Sequence, residues 1–83
     1  MMKPRPSDEE IIQRLATLPR TAGLTTREAS VYSGLSESTL EKARTIGGGP
    51  EYVRAGSRAV RYRMVDIDEY MERRRARSTS EYK

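Results

Sequence analysis

Residues 24–44 read LTTREASVYSGLSESTLEKAR, and this stretch decides the fold. A T-x-x-E capping box at Thr25 starts a helix, and Gly34 supplies the left-handed residue that ends it. Ser36 is the N-cap of a further helix, which carries Leu40 on its apolar face. Because a single residue separates Gly34 from Ser36, the turn between the helices is tight. Two short helices joined in this way predict a helix-turn-helix.

An additional helix is predicted ahead of this motif, over residues 7–18. Ser7 and Glu10 form an S-x-x-E capping box, and the acidic residues between them suit the positive end of a helix dipole. Apolar residues then recur at helical spacing: Ile11, Leu15 and Leu18. Pro19 ends this helix, which is short enough to need packing against the rest of the fold.

The residues after the motif predict a β-hairpin. The run GGGP at 47–50 breaks the helix. Residues 52–54 and 60–63 have the alternating character of strands, and residues 55–58 form the turn between them. The strand arginines alternate with apolar residues, as in a sheet with one solvated face: Arg54, Arg61 and Arg63 against Val53, Val60 and Tyr62. Arg58 lies in the turn itself, so the hairpin has a cationic tip.

A last helix is predicted to begin at Val65 or Asp66, with Asp66 and Glu69 as a D-x-x-E cap. Its inward-facing positions follow at i, i+3 and i+4: Ile67, Tyr70 and Met71. Several tyrosines lie at core-facing positions, and we expect them in the core with their hydroxyls at the surface: Tyr32, Tyr62 and Tyr70. This placement disfavours a platform for stacking single-stranded bases.

These elements predict a mainly α fold with a small β-hairpin, which is a winged helix-turn-helix. We expect an N-terminal tail and extra helix over residues 1–23. The winged helix-turn-helix domain follows over residues 24–76, and residues 77–83 form a disordered tail.

The composition excludes several classes of function. Among 83 residues there is no Cys and no His, so the residues required for disulfides, thiolate zinc sites and histidine acid–base chemistry are absent. Neither a nucleophile–base pair nor a metal set can be assembled, so we expect no enzyme, no cofactor and no metal. No apolar run is long enough to span a membrane, and we expect a cytoplasmic, nucleoid-associated protein. The acids at 66–69 are interpreted as partners of a helix dipole.

The cations are unevenly distributed along the chain, which has a net charge of +4. Residues 54–63 contain four arginines and no acid, and a second basic run follows at 73–77. A cationic segment of this kind is the electrostatic footprint of a protein that binds a phosphate backbone.

The order of these features resembles the excisionase/AlpA-like DNA-binding domains, which are relatives of the MerR-type winged helix. The resemblance covers residues 24–72 and rests on LTTREA at 24–29, Tyr32, GLS at 34–36, Thr39-Leu40, Arg44, Gly49-Pro50, Arg61-Tyr62-Arg63 and Asp66-Ile67. It implies that residues 37–45 form the reading helix in the major groove of duplex DNA. It also implies that residues 54–63 form a wing against the backbone or the neighbouring minor groove.

Nine side chains are candidate DNA contacts. On the reading helix these are Ser38, Thr39, Lys42 and Arg44, and on the wing they are Arg54, Ser57, Arg58, Arg61 and Arg63. Arg44 is expected to hold guanine O6 and N7 with two hydrogen bonds. Arg58, on a tight glycine-containing turn, is shaped to enter a minor groove or to clamp a phosphate. The alternative for Lys42 and Arg44 is a solvated face or a salt bridge, and for the strand arginines it is a sheet with one solvated face. The alternative for Ser38 is capping alone, and for Thr39 it is partial burial beside Leu40.

Members of the resembled family act as excisionases, which steer an integrase toward excision, or as small transcriptional regulators. The first role is favoured here and the second stays open. A third hypothesis is a protein-interaction adaptor that is basic for solubility, and the cationic wing argues against it. We expect a monomer in solution that self-associates on DNA through residues 7–18 or the basic tail.

Overall fold

The computed structural model describes residues 6–75. In chain order the elements are α1 (Asp8–Leu15), β1 (Gly23–Leu24), α2 (Thr26–Ser33), α3 (Glu37–Ile46), β2 (Val53–Arg54), β3 (Val60–Arg63) and α4 (Met64–Arg73). This arrangement is a winged helix-turn-helix, which confirms the predicted fold class. No helix among these residues is long and apolar enough to cross a membrane. The predicted tail at 77–83 lies outside the described residues.

The helix-turn-helix forms as its capping residues predict. Thr25 Oγ1 accepts from the Glu28 backbone N–H at 3.2 Å, and a Glu28 carboxylate oxygen accepts from the Thr25 N–H at 2.9 Å. Gly34 has φ 84°, a backbone conformation that disfavours residues with a Cβ. The Ser36 hydroxyl then accepts from the Thr39 N–H at 3.0 Å and caps α3. Both helix boundaries are therefore set by local hydrogen bonds.

The extra N-terminal helix begins as predicted but ends early. The capping box of Ser7 and Glu10 is present, whereas α1 ends at Leu15 and not at Leu18. The next backbone hydrogen bonds span three residues and not the four of an α-helix. The Thr17 N–H donates to the Arg14 carbonyl, and the Leu18 N–H donates to the Leu15 carbonyl. Pro19 explains the difference, because a proline disfavours helical geometry at the residue before it.

The sheet contains a strand that the sequence analysis missed. The strand order is β1-β3-β2, and both pairings are antiparallel. In β1, Gly23 pairs with Arg63 and Leu24 with Tyr62. Two residues give no visible alternation in a sequence, and β1 exists because the chain beyond α3 returns to pair with it.

The core lies between the helices and one face of the sheet. Its largest fully buried side chains come from four different elements: Leu24, Leu40, Tyr62 and Ile67. Ile11 and Leu15 of α1 belong to the same hydrophobic cluster. Burial of each such side chain contributes about 1.5–3 kcal/mol, so α1 is a substantial part of the folded unit.

The start of α4 differs from the prediction. The helix begins at Met64 directly after β3, and its N-cap Arg63 makes no side-chain cap hydrogen bond. The predicted cap by Asp66 is wrong, because both carboxylate oxygens of Asp66 accept from the Arg63 guanidinium at 2.9 and 3.1 Å. The prediction that Met71 faces inward is also wrong, since its side chain is 43% exposed.

Candidate nucleic-acid interface

Helix α3 has an outward face that is separate from its packing face. Leu40 is buried, and the positions opposite it on a helix of 100° per residue are Ser38, Lys42 and Thr45. All three of these side chains are exposed. Ser38 and Lys42 were predicted as DNA contacts. Thr45 lies within the predicted reading helix, but its side chain was not among the predicted contacts. Its spacing of i+7 from Ser38 was the signal that could have found it.

The predicted contact Thr39 is exposed but is engaged by the helix cap. Its hydroxyl accepts from the Ser36 hydroxyl at 2.8 Å, and its backbone N–H donates to the same Ser36 oxygen. Thr39 therefore helps to define the start of α3, and its free lone pair and hydrogen remain available at the helix N-terminus.

Arg44 lies on the inner side of α3 and links the reading helix to the rest of the fold. One guanidinium nitrogen donates to the Tyr62 hydroxyl at 2.7 Å and lies 3.3 Å from the Thr26 hydroxyl. The guanidinium carbon is also 5.9 Å from the centre of the Tyr62 ring. These contacts join α3, α2 and β3 through one side chain, and they leave Nε and the second terminal nitrogen of Arg44 unused.

The buried tyrosines are bonded inside the fold. Tyr62 is completely buried and its hydroxyl accepts from Arg44, while the Tyr32 hydroxyl donates to Asp68 at 2.6 Å. The prediction that these rings are core-facing is confirmed, with Tyr32 and Tyr70 only partly buried. The prediction that the Tyr62 hydroxyl lies at the surface is wrong, because this residue is completely buried and its hydroxyl bonds to Arg44.

The strand register places arginines on both faces of the hairpin. Val53 pairs with Arg61, and Arg54 pairs with Val60. Residues that pair directly share a face of the sheet, so Arg54 and Arg61 lie on opposite faces. The sequence pattern suggested one solvated face for all the strand arginines, and the register contradicts this. The hairpin is a ribbon with positive charge on each side.

The tip of the hairpin is open to solvent. A hydrogen bond of 2.9 Å from the Ala55 N–H to the Ala59 carbonyl closes the turn, and Gly56 has φ 149°. Ser57 and Arg58 are both exposed at this tip. The structure thus places Arg58 where the sequence predicted it, at the far end of the wing.

Ion pairs divide the cations of the described residues into two groups. Six arginines have a carboxylate partner: Arg14, Arg20, Arg27, Arg63, Arg73 and Arg75. Six have none, and five of these lie on α3 and the hairpin: Lys42, Arg44, Arg54, Arg58 and Arg61. The sixth is Arg74 at the end of α4, whose guanidinium lies over the Tyr70 ring. Arg44 and Arg61 use neutral acceptors, and Arg61 donates to the Val60 carbonyl at 2.8 Å. The uncompensated positive charge is therefore concentrated on α3 and the wing.

Arg63 stands apart from the other predicted wing contacts. Its guanidinium forms a two-bond pair with Asp66, and the hydrogen bond and charge of Asp66 raise the pKa of Arg63. Arg63 thus keeps its charge, but the neighbouring carboxylate offsets that charge. Residues 6–75 hold no group of three or more carboxylate, histidine or cysteine side chains that could bind a metal ion.

The fold and this surface define a DNA-binding helix-turn-helix protein. The model of a family described as a helix-turn-helix domain matches residues 24–75. The chain belongs to this family, which is that of the small excisionase/AlpA-like DNA-binding proteins and is not typically enzymatic. A search of the curated proteins finds no match to this chain.

Proposed function

We propose that this protein is a sequence-specific duplex-DNA-binding factor of the excisionase type. In this proposal α3 lies in the major groove, and the β2–β3 hairpin enters the neighbouring minor groove. The observation that carries the proposal is the set of five cations on α3 and the wing that have no carboxylate partner among residues 6–75. A carboxylate partner offsets the charge of a cation, whereas a phosphate-binding surface needs its positive charge uncompensated.

The dimensions and chemistry of α3 suit a major groove. Its 10 residues span about 15 Å, and a major groove about 12 Å wide admits an α-helix. The outward face offers a hydroxyl at Ser38, an ammonium at Lys42 and a second hydroxyl at Thr45. These groups donate to base-edge acceptors and to phosphates, which is the mixture that a reading helix requires.

The two-sided hairpin suits a minor groove. A groove has a phosphate backbone on each wall, and Arg54 and Arg61 lie on opposite faces of the ribbon. With Arg58 at the tip directed into the groove, each flanking arginine faces one wall. An arginine inserted into a narrow minor groove benefits from its enhanced negative potential. Ser57 adds a hydroxyl donor beside Arg58.

Arg44 has two roles in this proposal. The contacts with Tyr62 and Thr26 hold its side chain in one orientation, so less rotamer entropy is lost when it binds DNA. Its unused nitrogens then contact a guanine or a phosphate. Arg44→Ala should relax sequence discrimination by about 1–3 kcal/mol.

The biological role that we propose is to bind and bend attachment-site DNA and so to direct an integrase toward excision. A domain of this size buries about 600–1,000 Å² on DNA, so several copies on neighbouring sites are needed for high specificity. Wing insertion into the minor groove favours a deformed duplex. Self-association on the DNA and an integrase partner are parts of this proposal.

Selection from a duplex library with a randomised 20-base-pair core tests the proposal. The protein should enrich one short motif, and a fragment that contains it should migrate as a bent duplex in a circular-permutation assay. Failure to enrich any sequence would refute specific binding. Specific binding without a bend would favour a small transcriptional regulator.

A further inference from the structure

Helix α3 ends on an isoleucine that the fold does not bury. Ile46 is 82% exposed, which is the highest value among the large hydrophobic residues of the described chain, ahead of Ile12 at 57%. It follows Lys42 by four residues and Ser38 by eight, so it continues their row on the outward side of α3. The apolar side chain therefore lies within the polar surface that faces the proposed major groove.

The surroundings of Ile46 leave it accessible to a large partner. Gly47 and Gly48 follow with φ 88° and 90°, and a Cβ at either position would meet no atom within 4 Å. The two residues directly after Ile46 are thus backbone without side chains, beside open space. Isoleucine is also a poorer helix former than alanine or lysine, so helix formation does not favour it at this exposed position.

We infer that Ile46 is a specificity-determining residue that contacts the C5-methyl group of a pyrimidine in the major groove. The C5-methyl is the apolar group that a base presents there, carried by thymine and, after methylation, by 5-methylcytosine. This inference rests on the proposed function, because it assumes that α3 faces the base edges.

The difference in side-chain chemistry along the outward row of α3 supports this contact. Ser38 and Lys42 donate hydrogen bonds and suit acceptors on bases and phosphates, but neither side chain discriminates by apolar contact. Ile46 supplies apolar surface at the other end of the same row. Burial of one methyl-sized group against it changes affinity by about four-fold, which is enough to favour one base at one position.

The experiment uses the full chain and the duplex that the wild-type protein selects from a randomised library. Each thymine of that duplex is replaced in turn by deoxyuridine, which removes only the methyl group, and each cytosine by 5-methyldeoxycytidine. Affinities are measured by fluorescence anisotropy for wild type, Ile46→Ala and Ile12→Ala. Ile12→Ala is the matched control, because it makes the same truncation at an exposed isoleucine on α1. Circular dichroism melting checks that each variant folds.

The wild type and the control should lose about four-fold in affinity at one thymine position, or gain about four-fold at one cytosine position. The two results distinguish thymine from 5-methylcytosine as the source of the methyl. Ile46→Ala should bind the methylated and unmethylated duplexes equally. Specific binding that no methyl group alters, or an Ile46→Ala variant as methyl-sensitive as wild type, would overturn this inference alone. If no duplex is selected, the proposed function fails and the inference fails with it.

Discussion

Neutralising the two free arginines of the wing should change how DNA binding depends on salt. The replacement is Arg54→Gln with Arg58→Gln, at two exposed positions whose side chains have no ion-pair or hydrogen-bond partner among residues 6–75. Because no folding contact is lost, the stability of the variant should stay within about 0.5 kcal/mol of wild type. The effect on DNA binding should then report the wing alone.

The structure sets the size of the effect. Five cations of α3 and the wing lack a carboxylate partner within the described part of the chain. Each phosphate that they neutralise contributes about −0.9 to the slope of log K against log salt concentration. Wild type should therefore show a slope of about −4.5, and the double variant a slope of about −2.7. Between 50 and 200 mM salt, wild type should lose about 500-fold in affinity and the variant about 40-fold.

Fluorescence anisotropy with a labelled 20-base-pair duplex of mixed sequence measures these slopes over a series of NaCl concentrations. The matched control is Arg73→Gln with Arg75→Gln, which removes the same net charge from arginines paired with Glu69 and Glu72. The control should keep the wild-type slope. An equal change in both double variants would show that net charge and not the wing sets the binding. A flat response in wild type would refute the phosphate-binding surface altogether.

Three further predictions follow from the contacts of the fold, and a fourth concerns the proposed self-association. Leu40→Ala should lower the free energy of unfolding in urea by about 2–5 kcal/mol, because this side chain is 1% exposed; a smaller loss would mean that α3 packs loosely. Thr25→Ala should cost about 1 kcal/mol through the lost cap, and Thr25→Ser should restore most of it. Tyr62→Phe should cost about 1 kcal/mol because Arg44 loses its hydroxyl partner, and an unchanged melting temperature would show that this bond contributes nothing to stability. Light scattering at micromolar concentration should find that the free protein is a monomer. Truncation of the chain after Arg75 should reduce the cooperativity of binding to a multi-site DNA fragment more than it reduces the affinity for a single site.

The position of α1 bears on how cooperativity can be tested. Residues 7–18 were expected to be available for contacts between neighbouring copies, yet Ile11 and Leu15 are buried in the same cluster as the helix-turn-helix. Deleting α1 would remove two core side chains and destabilise the fold. Substitutions at exposed positions of α1, such as Gln13, test a role in self-association without this cost.

Local interactions explain where prediction from the sequence succeeded. The capping boxes at Ser7 and Thr25 and the terminator at Gly34 involve residues within four positions of one another, so the sequence contains both partners of each hydrogen bond. The same reasoning misplaced the start of α4. Asp66 there has a stronger partner in Arg63 than in a backbone N–H, and propensity does not rank such competing partners.

The sequence by itself determined the helix-turn-helix, the hairpin and the presence of excess positive charge near the wing. Only the tertiary structure decided which cations remain free. Arg20 meets Asp68 across 48 positions of the chain, and Arg44 meets Tyr62 across 18. The hairpin register likewise assigned Arg54 and Arg61 to opposite faces. Such contacts depend on how separate elements pack together, and packing is a property of the whole core that no local stretch of sequence contains.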